Sequence, residues 1–192
     1  MRRQSPHEIL AGKNNKEAFD NAKALAVLTY MLKLLNGRSD KHQLIKMMYW
    51  IERSSIIETG FPVFFDQAYS LPYGPILSQT LDNINSSNCE TSPWYGYIRL
   101  EAPHNVILIK AGDLDELSQY DEEQIKATVA KFGSTTFNDR TDYFHLLPEY
   151  TKVSNGERAD ISYRVILESA SDYLDSDLDY ALIEIESAKS RR

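Results

Sequence analysis

The stretch from His42 to Leu77, HQLIKMMYWIERSSIIETGFPVFFDQAYSLPYGPIL, concentrates the apolar and aromatic mass of the chain, and everything else must be arranged around it. Leu44, Met47, Met48 and Ile51 recur at i, i+3, i+4, i+7, which places them on one face of a helix. Ser39 and Asp40 are suited to cap its start. Gly60 tolerates the left-handed conformation that ends a helix, and Pro62 cannot extend the ladder, so the spacing predicts a helix over about 40–59. Phe61, Phe64, Phe65 and Tyr69 then crowd a loop of about a dozen residues, long enough to need packing side chains of its own. In Pro72-Tyr73-Gly74-Pro75 the second proline suits the first helical position and Gly74 the N-cap. Ile76, Leu77, Thr80, Leu81 and Ile84 follow at helical spacing, so a third helix is expected from Pro75, with Tyr73 plugging the groove between the second and third helices.

On either side of this stretch the signals are mostly helical. Leu25, Leu28, Leu32 and Leu35 mark a first core helix over 18–35, stopped by Asn36-Gly37. After the third helix, Trp94 to Leu100 and Val106 to Ile109 are rich in aromatic and β-branched residues and flank Ala102-Pro103-His104-Asn105, the pattern of a β-hairpin. Ser118 to Asp121 offers capping chemistry ahead of Ile125, Val129 and Phe132, and Gly133 ends that helix. A shorter helix is expected over Asp139 to Leu147, before Pro148. Ser162 can cap a helix with Val165 and Ile166, and Leu178, Ala181, Leu182 and Ile185 mark a last one. The fold class is therefore mainly α: a single compact helical domain of about seven helices with one small β-hairpin. Residues 1–17 read as a mobile tail, 18–175 as the domain, and 176–192 as a C-terminal helix packed on it or extending it.

Composition narrows the function classes. The 192 residues are enough for a substantial core without metals or disulfides, and the single cysteine, Cys89, cannot form an internal disulfide. No apolar run approaches the roughly 20 residues of a membrane span, so a cytoplasmic protein without membrane contact is expected. Net charge is −7 and unevenly spread: residues 1–60 hold 10 Lys/Arg against 6 Asp/Glu, whereas residues 113–192 hold 9 against 18. Such an acidic field repels nucleic acid and attracts a basic protein surface; the plainer reading is solubility.

No catalytic constellation is visible. His7, His42, His104 and His145 are scattered, with no HExxH and no Cys partner for zinc, so no metal and no cofactor is expected. GxxxxGK[ST], GxGxxG and GxSxG are absent. His145 pairs on paper with Asp139 or Asp142 as a catalytic dyad, although a histidine that fixes a helix end is the commoner arrangement. Tyr49, Trp50, Phe61, Phe64, Phe65, Tyr69 and Tyr73 divide between core packing and an interface.

Lys46-Met-Met-Tyr49, the Gly60-Phe-Pro62 turn and Tyr69-Ser-Leu-Pro-Tyr73-Gly74-Pro75-Ile76, in this order and spacing, resemble the Panacea domain, also described as the SocA-like antitoxin domain and earlier as a domain of unknown function in phage and prophage proteins. Leu117-Ser118, Lys131-Phe132-Gly133, His145 with Pro148 and Tyr150, and Ile161-Ser162-Tyr163 extend the resemblance over about residues 20–170. Met47-Met48 replaces the usual leucines, a swap that cores tolerate. Phe144 stands where Thr is frequent, and Tyr150 where Trp is. The resemblance implies a non-enzymatic antitoxin that neutralises a cognate toxin by direct binding in a hetero-complex such as a heterotetramer. It also leaves open an adaptor that delivers the toxin to a protease, and it does not name the toxin. It singles out Lys46, Tyr49, Gly60, Pro62, Tyr73, Gly74 and Pro75 as motif residues with a structural or partner-binding role. Trp50, Phe65, Tyr69 and His145 are added as candidate partner contacts. The competing enzyme reading rests on His145 alone.

Overall fold

The computed structural model describes residues 18–170 and 175–191. Helix α1 (Asn21–Leu34) is capped by Asp20, whose carboxylate accepts from the Lys23 N–H at 3.0 Å. The chain then reverses through Asn36 and Gly37, both with positive φ, into the short strand β1 (Arg38–Asp40). Helix α2 (Lys41–Thr59) follows, its Asp40 cap accepting from the Gln43 N–H and its end set by Gly60 at φ 76°. Next come β2 (Ala68–Leu71), β3 (Gly74–Leu77), α3 (Ser78–Ser86), β4 (Ile98–Glu101) and β5 (Asn105–Leu108). A 3₁₀ turn at Leu114–Glu116 leads to α4 (Gln119–Phe132), α5 (Phe137–His145), β6 (Ala159–Ile161), α6 (Tyr163–Glu168) and α7 (Asp175–Ser190).

Helix α2 is the axis of the fold. It touches α1, α3, α4, α5, α6, β1 and β3, so most of its side chains are enclosed and it lacks the polar face of a surface helix. Lys46 and Glu52 are buried on it beside Leu44, Met47, Met48, Tyr49, Ile51 and Ile56. Around it, α1 buries Ala24 to Thr29, and α7 contributes Leu178, Leu182 and Ile185 to the same core.

The mainly helical character holds, with seven α-helices among the described residues, but the single hairpin is corrected to two three-stranded antiparallel sheets, ordered β1-β5-β4 and β3-β2-β6. The hairpin after Trp94 is present in a tighter form, Ile98–Glu101 against Asn105–Leu108, and β1 adds to it through Arg38↔Ile107 and Ser39↔Val106. Trp94 lies in a turn before it, fully buried, donating its indole N–H to Asn21 Oδ1 at 3.0 Å.

The second sheet overturns the expected helix start. Pro75 belongs to β3, where Ser70 pairs with Pro75 and Leu71 with Gly74, leaving Pro72-Tyr73 as a two-residue turn. Gly74 serves that turn at φ 95°, not an N-cap. Proline is tolerated because β3 lies at the sheet edge and has no further strand to donate to. Ile76 and Leu77 are buried in a strand, and only Thr80, Leu81 and Ile84 belong to α3, so helical spacing arose there from two adjoining elements. Helix α3 begins at Ser78 with a remote cap: Asp66 accepts from the Gln79 and Thr80 N–H groups at 2.9 and 2.8 Å.

The remaining caps follow local chemistry. Ser118 with Asp121 and Thr136 with Asp139 form capping boxes, and Ser162 accepts from the Val165 N–H. The box at Thr136 starts α5 earlier than expected, at Phe137, and it ends at His145 rather than Leu147. The expected tail over 1–17 lies outside the described residues.

Candidate functional site

Of the motif residues, Lys46, Tyr73, Gly74 and Pro75 meet at the β2–β3 turn, whereas Tyr49, Gly60 and Pro62 lie elsewhere along and beyond α2. Lys46 is one turn along α2 from His42 and is buried, its Nζ donating to the Pro75 carbonyl at 2.7 Å. Burial, reinforced by the Arg140 guanidinium, holds this amine well below the usual lysine range. Gly74 lies directly against it: a Cβ there would stand 3.0 Å from Lys46 Nζ and 3.3 Å from Phe144 Cβ. Glycine is thus required twice over, by the positive φ and by the close approach. Pro75 is buried against Lys46, and Pro62 is buried two residues after Gly60, whose left-handed turn ends α2.

Further along the same face, the Tyr49 hydroxyl donates to Glu149 at 2.8 Å, and Arg53 donates to the same carboxylate at 2.5 Å through Nε. Burial and the Glu149 charge push the Tyr49 phenol well up. Glu149 thereby fastens the segment after α5 to α2 through a buried ion pair.

A second polar knot locks the loop between α2 and β2. Buried Glu52 accepts from the Val63, Phe64 and Asp66 N–H groups at 2.6, 2.9 and 3.2 Å. Burial outweighs the Phe64 amide, and with the help of neighbouring Asp66 it raises this carboxyl to about 8. Burial raises Asp66 as well, although four donors counteract it.

At the N-terminal end of α2, the His42 ring packs on Phe137 with centroids 4.3 Å apart, and its Nε2 lies 3.4 Å from the Tyr73 carbonyl oxygen. Burial and then Lys46 lower this imidazole to about 4, so it is neutral near pH 7. Arg140 is buried opposite, donating to the Thr135 carbonyl and standing 3.8 Å from Asp40.

The candidate partner contacts are scattered. Phe65 is buried at φ 57°, in the core rather than on a surface. Trp50 is half-buried in a ring cluster with Phe132, Tyr143 and Phe144, under the Lys131 ammonium at 3.9 Å from its ring centre. Tyr69 is half-buried beneath the Arg158 guanidinium at 4.4 Å. His145 stacks on Tyr150 with centroids 4.5 Å apart, and its Nε2 lies 3.1 Å from the Pro72 carbonyl oxygen. Asp139 is committed to the capping box of α5, and His145 Nε2 faces the turn instead of that carboxylate. Tyr73 does not plug a groove between helices. It is 57 % exposed, because a two-residue turn projects its side chain outward, and its ring meets Phe137 at 5.6 Å.

The cluster's polar atoms are mostly spent on backbone carbonyls and amides, which is the chemistry of a scaffold. Among the described residues, no group of three or more His, Cys, Asp or Glu side chains is placed to hold a metal ion, and no helix is long and apolar enough to cross a membrane. The sequence pattern of the antitoxin SocA-like, Panacea domain family matches residues 44–149. The chain belongs to this family. The match is shorter than the 20–170 that the motifs suggest: it opens just before Lys46 and closes at Glu149, so the Panacea pattern contains the Lys46–Gly74 contact and the Tyr49–Glu149 clasp. No curated protein and no solved structure matches the chain.

Sequence reasoning missed Glu52, Asp66, Glu149, His42, Phe137 and Arg140. A usable signal existed only for Glu52, a carboxylate one turn from Tyr49 and Ile56 on an apolar helix face, where a charge needs a partner.

Proposed function

We propose that this protein is an antitoxin that acts in the cytoplasm and neutralises a cognate toxin by holding it in a hetero-complex. The observation that carries the reading is the family match over residues 44–149. Two features support it. Lys46, Gly74 and Pro75 build the β2–β3 turn and leave Tyr73 exposed on it, and the acidic balance of residues 113–192, with 9 Lys/Arg against 18 Asp/Glu, favours a basic protein partner. The test is co-expression with the product of the adjacent gene. That product alone is expected to arrest growth, and this protein is expected to restore growth and co-purify with it through a high-salt wash. Growth arrest that persists with both proteins present and folded overturns the proposal.

A further inference from the structure

The chain contains two Asn-Gly pairs, Asn36-Gly37 and Asn155-Gly156. This dipeptide carries a reaction of its own, in which the glycine nitrogen attacks the side-chain carbonyl carbon of the asparagine, and glycine has no Cβ to shield that approach. The attacking nitrogen must lose its proton and swing toward the side chain, so a hydrogen bond donated by the glycine N–H opposes the reaction. Both asparagines are exposed, and no atom lies within 4 Å of where a side chain on either glycine would begin, so space does not separate the two sites. Hydrogen bonding does. After α1, the Gly37 N–H donates to the Leu32 carbonyl at 2.8 Å, the Gly37 carbonyl accepts from the Leu108 N–H at 2.9 Å, and Asn36 is held at φ 61°.

Asn155 and Gly156 are the two central residues of a turn between α5 and β6. The Glu157 N–H donates to the Ser154 carbonyl at 3.0 Å and the Ser154 N–H to the Glu157 carboxylate at 3.0 Å, while Gly156 supplies a positive φ of 86° at the third position of the turn. These bonds hold the ends of the turn and leave its centre free. Neither the Gly156 N–H nor the Asn155 side chain has a hydrogen-bond partner among the described residues. We propose that Asn155 is a self-modification site, where the folded chain converts an amide to a carboxylate with water as the only reactant, and that the fold protects Asn36 from the same change. The Gly156 nitrogen forms a bond to Asn155 Cγ, its proton leaves with the side-chain nitrogen as ammonia, and water then opens the resulting succinimide at either of its two ring C–N bonds. One opening leaves aspartate; the other leaves isoaspartate, whose main chain runs through Cβ. Either product adds a negative charge beside the exposed Glu157, at the entry to β6. The proposal is independent of the antitoxin reading.

The experiment incubates the full chain, folded and in urea, at neutral and at mildly alkaline pH, and follows the tryptic peptides by chromatography and mass spectrometry against a digest taken before incubation. Cleavage after Lys33 and Arg38, and after Lys152 and Arg158, isolates the two sites in the peptides 34–38 and 153–158, each with a single asparagine. In the folded chain, 153–158 is expected to gain the mass difference between an amide NH₂ and an OH, and to do so faster at the higher pH. The conversion is expected to run at least about tenfold faster than that of 34–38, whose glycine must first give up its hydrogen bond. Urea is expected to remove the difference between the two sites. The product of 153–158 is expected as two separable isomers of equal mass, because a succinimide opens in two ways. Asn155 that stays an amide in the folded chain while it converts in urea overturns the site. Equal conversion of both peptides in the folded chain overturns the protection of Asn36 by the fold, and a single isomer overturns the succinimide route.

Discussion

Gly74 shows how a short motif can encode a contact rather than a chemical activity. Its backbone turns at φ 95°, and the space where its side chain would stand is taken by Lys46 Nζ and Phe144 Cβ. Lysine ends are flexible, but this one is tied to the Pro75 carbonyl and enclosed, so moving it breaks the bond that fastens β3 to α2. A valine adds the strain of a β-branched residue at positive φ. Gly74→Val is expected to destabilise the protein by on the order of 1–3 kcal/mol, read from urea melts, and to lose toxin neutralisation with it. A Gly74→Val protein with wild-type stability and no neutralisation would place the glycine in the interface instead. The buried lysine also explains why Lys46, Gly74 and Pro75 occur together: none of the three has its role without the other two.

At the scale of elements, α2 and the loop that follows it are joined by Glu52, and this joint titrates. The carboxyl is raised to about 8 in the fold from an ordinary value of 4.5, so the folded state binds a proton more readily than the unfolded chain. Its contribution is therefore fully present below pH 4.5 and is lost as pH rises through 8. Glu52→Gln removes that dependence and sets an amide NH₂ against backbone N–H donors. The variant is expected to be less stable by about 1–3 kcal/mol at pH 5, with the deficit shrinking toward pH 8, as measured by urea melts at the two pH values. A deficit that grows with pH would mean that the carboxylate form is the one the loop favours. The same elements show what the sequence can convey. Asp40, Gly60, Ser118 and Ser162 act on their own neighbours along the chain, and their caps were legible from local chemistry. β3 was not, because its identity depends on β2, whose other edge is taken by β6 far downstream, and on a lysine in the preceding helix. Likewise α3 is capped by Asp66 from across a loop, where no spacing rule applies. The motif positions could be listed from the sequence, but their roles depend on non-local contacts. Tyr73, expected inside, proved to be outside.

For the whole molecule, the family pattern and the physical core do not have the same limits. The match ends at Glu149, yet Leu178, Leu182 and Ile185 of α7 and Ile166 and Leu167 of α6 lie in the same buried cluster as α2. Before the match, α1 supplies Ala24, Val27, Leu28, Met31 and Leu32, all without exposed surface, and packs on α4 and against β5. Asn21 also accepts the indole N–H of Trp94, a residue within the match. Removing these elements uncovers the flanks of α2, and each large apolar side chain returned to water costs about 1.5–3 kcal/mol. Roughly five such losses among the side chains left uncovered already match the 5–15 kcal/mol by which a domain of this size is ordinarily stable. A fragment of residues 44–149 is therefore expected to show no cooperative thermal unfolding and to bind no partner, whereas residues 18–192 melt cooperatively. Circular dichroism melts of the two decide the matter. A cooperative transition in the shorter fragment near that of the longer one would make the shared pattern an autonomous unit and reduce α1, α6 and α7 to additions on its surface. The burial of these helices argues for the opposite: the pattern marks the part of the core that carries the turn, and the flanking helices complete it.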